Sequence, residues 1–343
     1  MTARAPAPAR SALILHGAVA PGAAADDEDT LVQVGVVTAA LRKLGFAVET
    51  LEVGRDLADV ARPVEAIAPD FAFNLVEQID GRDALLPLAA YLLERARIPY
   101  TGAPAAALAA STEKTLAKRL MAAAGIPTPE WCETGMEAGQ LSPDDGLWIV
   151  KSATEHASFG LSAASVVRAD AVAGRLRRCT AAHGGSWFAE RYIHGREFNV
   201  SLLAGSAGPQ VLPVSEIVFI DCPPHRPAIV DYAAKWQPDS AAYGNTPRRL
   251  LGAEAALLAG RLGQIALRCW HLFGLRGYAR VDFRVDESGT PFVLEVNANP
   301  CLSPDAGFAA AADAARIDLV EVVGRIVVDA GIRLPRAGNS ATG

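Results

Sequence analysis

Tyr278-Ala279-Arg280-Val281-Asp282-Phe283-Arg284-Val285 and Pro291-Phe292-Val293-Leu294-Glu295-Val296-Asn297 flank the segment Asp286-Glu287-Ser288-Gly289. Alternation with a period of two marks a pair of strands, and a short Gly-containing connection marks a hairpin. In a symmetric register Val285 faces Thr290, Asp282 faces Val293 and Arg280 faces Glu295, with Asn297 on the same side. Val281, Phe283, Leu294 and Val296 then form a buried apolar face. The other face displays an arginine, two carboxylates and an amide oxygen, donors suited to Mg2+ held jointly with substrate phosphates. The same pattern also describes a solvated face with an ordinary salt bridge, and one bulged residue would break the register.

Two lysines upstream shift that balance. Lys151 ends the apolar strand Leu147 to Lys151 and precedes a small-residue loop with Ser158, Gly160 and Ser162, while Lys114 lies on a helix after Ser111. Such a loop brings backbone N–H groups onto phosphate oxygens, and lysines neutralise the charge. Each lysine alone reads more readily as a solvated surface residue. Ala189-Glu190-Arg191-Tyr192-Ile193, with Glu197 beyond it, is a strand end able to offer backbone groups and a carboxylate to a purine and a second carboxylate to a ribose.

Outward from these motifs the chain alternates strands and helices. Strand Ala12 to Leu15 leads to a helix from Asp29 to Leu44, with Leu31, Val34, Val37, Leu41 and Leu44 three or four apart and Gly45 as its stop. Strands Phe46 to Val53 and Phe71 to Val76, a helix from Asp83 to Arg95 and a strand at Ile98 to Tyr100 complete a parallel-sheet lobe over 11–103. Residues 104–188 read as a small α+β lobe whose second helix, Thr112 to Ala124, is capped by the Ser111 hydroxyl. Residues 189–335 read as a larger lobe carrying strands, the hairpin and terminal helices. Within it Asp221 to Arg248 is an irregular segment of the kind that forms lids. Residues 1–10 and 336–343 read as tails.

Bulk properties exclude several classes. With 343 residues, 51% apolar, the chain is an ordinary globular protein of more than one lobe. A formal charge of -6 gives no field that would gather nucleic acid or anionic lipid. Cys132, Cys179, Cys222, Cys269 and Cys301 are scattered and show neither a zinc knuckle nor a disulfide framework, which fits a reducing cytoplasm. Arg4 and Arg10 before Ala12 to Leu15 imitate a signal peptide, but His16 interrupts the apolar run and a first buried strand is the better reading. Glu254, Arg261 and Arg268 break the longest apolar stretch, so no membrane span is expected. The first strand is not followed by Gly-x-Gly-x-x-Gly, and no Gly-x4-Gly-Lys-Ser/Thr loop is present.

In their order, Glu113-Lys114, Ile149-Val150-Lys151, Glu155 to Ser162, Glu190 to Glu197, Arg280-Val281-Asp282 and Glu295-Val296-Asn297-Ala298-Asn299-Pro300 resemble the D-alanine:D-alanine ligase branch of the ATP-grasp superfamily. Phe73-Asn74-Leu75-Val76-Glu77 and Pro99-Tyr100-Thr101-Gly102 resemble its first lobe. The resemblance implies an ATP-grasp fold, α/β and α+β, with a Rossmann-like parallel sheet followed by two α+β lobes enclosing ATP. It implies a ligase that joins a carboxylate to an amine through an acyl phosphate. By position, Lys114 and Lys151 would contact ATP phosphates, Glu190 and Ile193 the adenine, and Glu197 the ribose. Asp282, Glu295 and Asn297 would bind two Mg2+ ions, which Mn2+ could replace. Arg280 would stabilise the transferring phosphate, Lys235 would approach it from the lid, and Ser158 would act from the small-residue loop. The implied partners are a small-molecule carboxylate and amine, with no nucleic acid and no membrane, in the cytoplasm; a homodimer is left open.

The departures concern the substrate end. This family typically places a Glu after the first strand, a double Ser in the loop, a Tyr in the lid and a Ser beyond the metal-binding strand. The matching positions here are the cluster Asp26, Asp27, Glu28; Ala157-Ser158; Trp236; and Ser303-Pro304-Asp305-Ala306. D-Alanine is therefore not expected to be the preferred substrate pair. The alternative is a genuine D-alanine:D-alanine ligase in which other groups replace the missing hydroxyls. A non-catalytic ATP sensor on the same fold would be expected to have lost a metal ligand, and all three remain.

Overall fold

β1 (Ser11–Gly17) is buried along nearly its whole length, as a strand covered on both faces must be. It lies between β2 (Ala47–Val53) and β3 (Phe71–Leu75), parallel to both, and Tyr100 bridges to Ala72 beyond β3. The computed structural model describes residues 10–20, 22–23, 25–133, 141, 146–222, 226–237 and 239–335; the expected tails at 1–9 and 336–343 lie outside them. α1 (Ala25–Lys43) crosses from β1 to β2, and α2 (Ala58–Ile67) from β2 to β3. The sequence reading missed α2, because Pro63 lies inside it. A proline removes one backbone hydrogen bond, yet Val60 and Val64, one turn apart, still bury a stripe against the sheet lobe.

After α3 (Pro87–Ala96) come α4 (Ala105–Thr112) and α5 (Lys114–Ala123). The break between the last two falls at Glu113, whose carboxylate accepts from the backbone N–H groups of Thr115 and Leu116, both at 3.2 Å. Ser111 is still helical and its hydroxyl donates to the carbonyl of Leu108, so Glu113 and not Ser111 is the cap. β4 (Trp131–Glu133), β5 (Leu147–Ser152), β6 (Val166–Arg168) and β7 (Trp187–Arg191) form an antiparallel sheet in the order β4-β7-β5-β6. α6 (Val172–His183) covers it, and Trp148, Val150, Leu176, Cys179 and Trp187 make a separate small core. β7 runs across the expected division at 188/189.

β8 (Gly195–Leu203), β9 (Gln210–Val211), β10 (Ser215–Ile217), β11 (Arg248–Leu250), β12 (Tyr278–Asp286) and β13 (Pro291–Asn297) form the central sheet, ordered β11-β10-β8-β12-β13 with β9 on β8. The segment between β10 and β11 carries α7 (Tyr232–Trp236) and α8 (Ala241–Gly244). Phe198, Val200, Leu202, Val281, Phe283 and Val285 bury one face of the sheet in a cluster with residues of α4, α5 and α9 (Ala256–Phe273). α10 (Gly307–Ala314) and α11 (Leu319–Asp329) end the described chain. Phe308, Val322 and Ile326 pack with Ile14, Val37 and Phe71, so α11 returns to lie on α1 and close the first sheet. Among the described residues no helix is long and apolar enough to cross a membrane.

The decisive hairpin differs from the symmetric register. Asp286 pairs with Thr290, its carboxylate accepts the Thr290 N–H at 2.8 Å, and Gly289 takes the left-handed φ of +83° that the tighter turn requires. Val285 therefore faces Pro291, and a bulge follows between Asp282 and Phe283. Beyond it Asp282 faces Glu295 and Arg280 faces Asn297, a shift of two residues in total. The four polar side chains still share one face, while Val293 replaces Leu294 in the core. The bulged edge is satisfied from outside the sheet: Val293 donates to Pro127 and accepts from the Thr128 hydroxyl, both at 2.8 Å.

Candidate active site

The polar face of the central sheet gathers most of the expected residues. Arg280 grips Asp282 with two hydrogen bonds, 2.8 Å and 2.9 Å, and the amides of Asn199 and Asn297 donate to the same carboxylate at 2.7 Å and 3.1 Å. Burial works against the Arg280 charge, but Asp282 beside it outweighs that and keeps the guanidinium protonated. Glu295 has its own cations: the Lys114 ammonium at 3.3 Å and His156 Nδ1 at 2.6 Å. Burial alone would raise its pKa, and Lys114, His156 and Arg280 hold it well below the usual carboxylate range. The Lys114 ammonium also donates to the Glu155 carbonyl at 2.8 Å, and the His156 backbone N–H to Asp83 at 2.5 Å. A strand, the start of α5 and the loop after β5 thus meet at Glu295.

A second knot is buried beneath the small-residue loop. Glu190, 1% exposed, lies 2.6 Å from both the Lys151 and the Lys118 ammonium groups. Burial opposes its charge, yet the two lysines pull its pKa below the usual value. Lys118 is 0% exposed and its pKa is lowered, chiefly by burial. Sequence reasoning missed Lys118, although its place four residues after Lys114 puts both on one face of α5. It also missed Asn199, two residues beyond Glu197 on β8 and therefore on the same face. His156 and Asp83 had no local signal.

Glu197 is held by Arg284 at 2.8 Å, and Arg284 also donates to the carbonyls of Ile193 and Gly195 at 3.4 Å, and to that of Ala228. Glu197 and Ile193 are therefore neighbours beside the segment between β10 and β11. Ser158 and Ala157 both take left-handed φ, +63° and +56°, and the Ser158 hydroxyl donates to the Val230 carbonyl at 2.8 Å, tying the loop to that segment. Gly160 is required there, since a Cβ would lie 2.7 Å from the Trp187 ring. Lys235 is exposed over much of its surface, yet the protein round it and the Arg280 charge lower its pKa, while Glu295, Asp282 and Glu77 oppose the shift.

A different set of polar side chains joins α1 to the end of β3 and the loop after β13. Gln33 donates to Glu77 at 2.7 Å and accepts from the Leu302 N–H at 2.9 Å. Asp29 accepts from Ser303 at 2.6 Å and from the Cys301 thiol at 2.9 Å. The side chains of Asp26 and Asp27 lie outside the described residues, and Asp29 is the α1 carboxylate that reaches the loop after β13.

The donor set fits a hard divalent cation: two carboxylates and an amide on facing positions of adjacent strands, with cationic side chains that phosphates could claim instead. It is not preassembled, because Asp282 is held by Arg280 and Glu295 by Lys114 and His156. The lysines suit an anionic ligand such as a nucleotide phosphate chain.

Comparison with known proteins places this geometry. The family model for the D-ala D-ala ligase C-terminus matches residues 120–328. The D-alanine–D-alanine ligase of Methylococcus capsulatus is 34% identical over 315 residues, covering 89% of this chain and 92% of the relative. That of Moorella thermoacetica is 33% identical over 323 residues, covering 89% and 96%. Among solved structures, the D-alanine–D-alanine ligase of Bacillus anthracis complexed with ATP gives a TM-score of 0.70 at 22% identity, covering 94% of this chain and 97% of that one. D-alanyl-alanine synthetase A of Vibrio cholerae gives 0.71 at 18% identity, covering 95% and 100%. The chain belongs to the D-alanine–D-alanine ligase family of the ATP-grasp fold, ATP-dependent ligases that form a carbon–nitrogen bond between a carboxylate and an amine.

Proposed function

We propose that this chain joins two amino acids through an acyl phosphate, releasing ADP and phosphate, with each side chain in the role its position suggests. The observation that carries this reading is the single polar face on which Arg280, Asp282, Glu295 and Asn297 stand together, with Lys114 reaching Glu295. Lys114 and Lys151 would neutralise the phosphate chain, Ile193 and Glu190 would lie towards the base, and Glu197 towards the ribose. Asp282, Glu295 and Asn297 would hold Mg2+, two ions in this proposal, which supplies charge neutralisation and polarisation of the terminal phosphate. Arg280 is set to balance negative charge as the substrate carboxylate attacks that phosphate and again as the amine opens the anhydride. Lys235 would add its charge when the lid closes, and Ser158 would fix the loop against the lid while water is excluded. For the reaction to proceed, Asp282 and Glu295 must exchange their present cations for metal and nucleotide.

The substrates of this reading are small amino acids, with D-alanine not the preferred pair. Ala157 offers no side-chain hydrogen bond where the family typically has a hydroxyl, and Trp236 offers a single N–H, which is buried and without a partner among the described residues. The second reading is a genuine D-alanine–D-alanine ligase, the activity by which the relatives are named. A phosphate-release screen with Mg-ATP and D- and L-amino acids, singly and in pairs, decides: D-alanyl-D-alanine formed faster than every other product establishes the second reading.

A further inference from the structure

Glu190 carries one negative charge and faces two ammonium groups. The Lys118 Nζ lies 2.6 Å from one carboxylate oxygen, and the Lys151 Nζ lies 2.6 Å from the other. A buried carboxylate needs a counter-ion, and a single cation balances it, so the knot holds a surplus of one positive charge. Exposure decides which lysine can offer that charge to a ligand. The side chain of Lys118 is 0% exposed and that of Glu190 1%, whereas that of Lys151 is 18% exposed.

Lys118 is fixed in place, and its partners are those of a cation. Its ammonium donates to the Thr128 hydroxyl at 2.8 Å and to the Pro129 carbonyl at 3.5 Å. Thr128 gives its own proton to the Val293 carbonyl at 2.8 Å, so towards Lys118 it can only accept. Together with Glu190, three oxygens surround the nitrogen, matching the three donors of an ammonium and exceeding the two of a neutral amine. The Trp131 ring, its centroid 5.9 Å away, adds a face that attracts positive charge. Burial lowers the Lys118 pKa, and Glu190 pulls it back. Lys151 stands differently. It lies on β5 directly before the small-residue loop, and it can leave Glu190 without stranding a buried charge as long as Lys118 stays.

Resting on the nucleotide reading above, we propose that Lys118 is a positioning residue: it is the permanent counter-ion of Glu190, and so it frees Lys151 to take the phosphates of the nucleotide. A phosphate chain arriving at the loop draws Lys151 across while Glu190 stays neutralised from behind. Without the Lys118 charge, Lys151 would be the remaining cation on Glu190, and phosphate would have to compete with a buried carboxylate for it.

The test is the Kd of the ligand-free protein for Mg-ADP and for adenosine, by isothermal titration calorimetry, with the ratio of the two as the contribution of the phosphates. Losing one charge-assisted contact weakens binding about tenfold to hundredfold. In Lys118→Met the ratio is expected to fall by that factor, with Kd for adenosine within about threefold of wild type because Lys151 still neutralises Glu190. In the double variant Lys118→Met, Glu190→Gln the carboxylate is gone as well, Lys151 is free again, and the ratio is expected to return to within about threefold of wild type. A role confined to packing gives no such rescue. Lys118→Gln, which drops the charge and keeps a donor for Thr128, decides the matter if Lys118→Met does not fold. A wild type whose ratio is well above one, and is either unchanged on loss of the Lys118 charge or not restored in the double variant, overturns this proposal alone. A wild type that binds neither ligand, or Mg-ADP no better than adenosine, overturns the reading of Lys151 as a phosphate contact and this proposal with it.

Discussion

Glu295 is the residue on which Lys114 of α5 and His156 of the small-residue loop converge, and its carboxylate is the test of the metal assignment. Glu295→Gln keeps the shape and removes the charge, so the protein is expected to fold while phosphate release falls about a hundredfold or more. Near-normal turnover in that variant would contradict the assignment. Glu190 tests a different point. Glu190→Gln leaves the fully buried Lys118 without its counter-charge, which costs about 3–5 kcal/mol, measurable by urea unfolding. Asp282, Glu295, Asn297 and Arg280 were legible in the sequence because period-two alternation sorts side chains by face whatever the register. Lys118 was not, because a lysine in sequence looks like surface until a buried carboxylate is found beside it. His156 and Asp83 come from segments distant in sequence and only the folded chain joins them.

At the level of elements the hairpin shows what pattern can and cannot give. The polar quartet was placed on the right face, but Val293 and Leu294 exchange sides and the pairing was two residues out, since neither the Asp286 turn nor the bulge at Leu294 changes hydrophobicity. α2 was hidden by Pro63, and the Glu113 cap by an adjacent serine that reads equally well. The segment Asp221 to Arg248 reads as a lid by length and polarity, an expectation for closure experiments to test. It is tied down by Ser158 at Val230, and by Tyr192 and Arg284 at Ala228, with Lys235 on α7 between those anchors and β11. If it closes over nucleotide, limited proteolysis within it should slow when an ATP analogue and Mg2+ are added together. Cleavage at an unchanged rate would argue against closure.

For the whole molecule, charge links the site to stability. Glu190 and Glu295 both have folded pKa values below the ordinary 4.5. Each therefore contributes stability that is present above pH 4.5 and lost as pH falls through the depressed value. The melting temperature of the ligand-free protein should drop on acidification below that point, and less steeply in Glu295→Gln than in wild type. The ATP-grasp fold was legible from the order of motifs, whereas the return of α11 to the first sheet was not, since an apolar helix stripe does not name its partner. The most direct measurement is the nucleotide product formed by purified protein with Mg-ATP and amino acids. An acyl-phosphate ligase gives ADP and inorganic phosphate in equal amounts, dependent on amino acid and matched by a dipeptide mass. AMP with pyrophosphate would mean an adenylate mechanism and contradict the account.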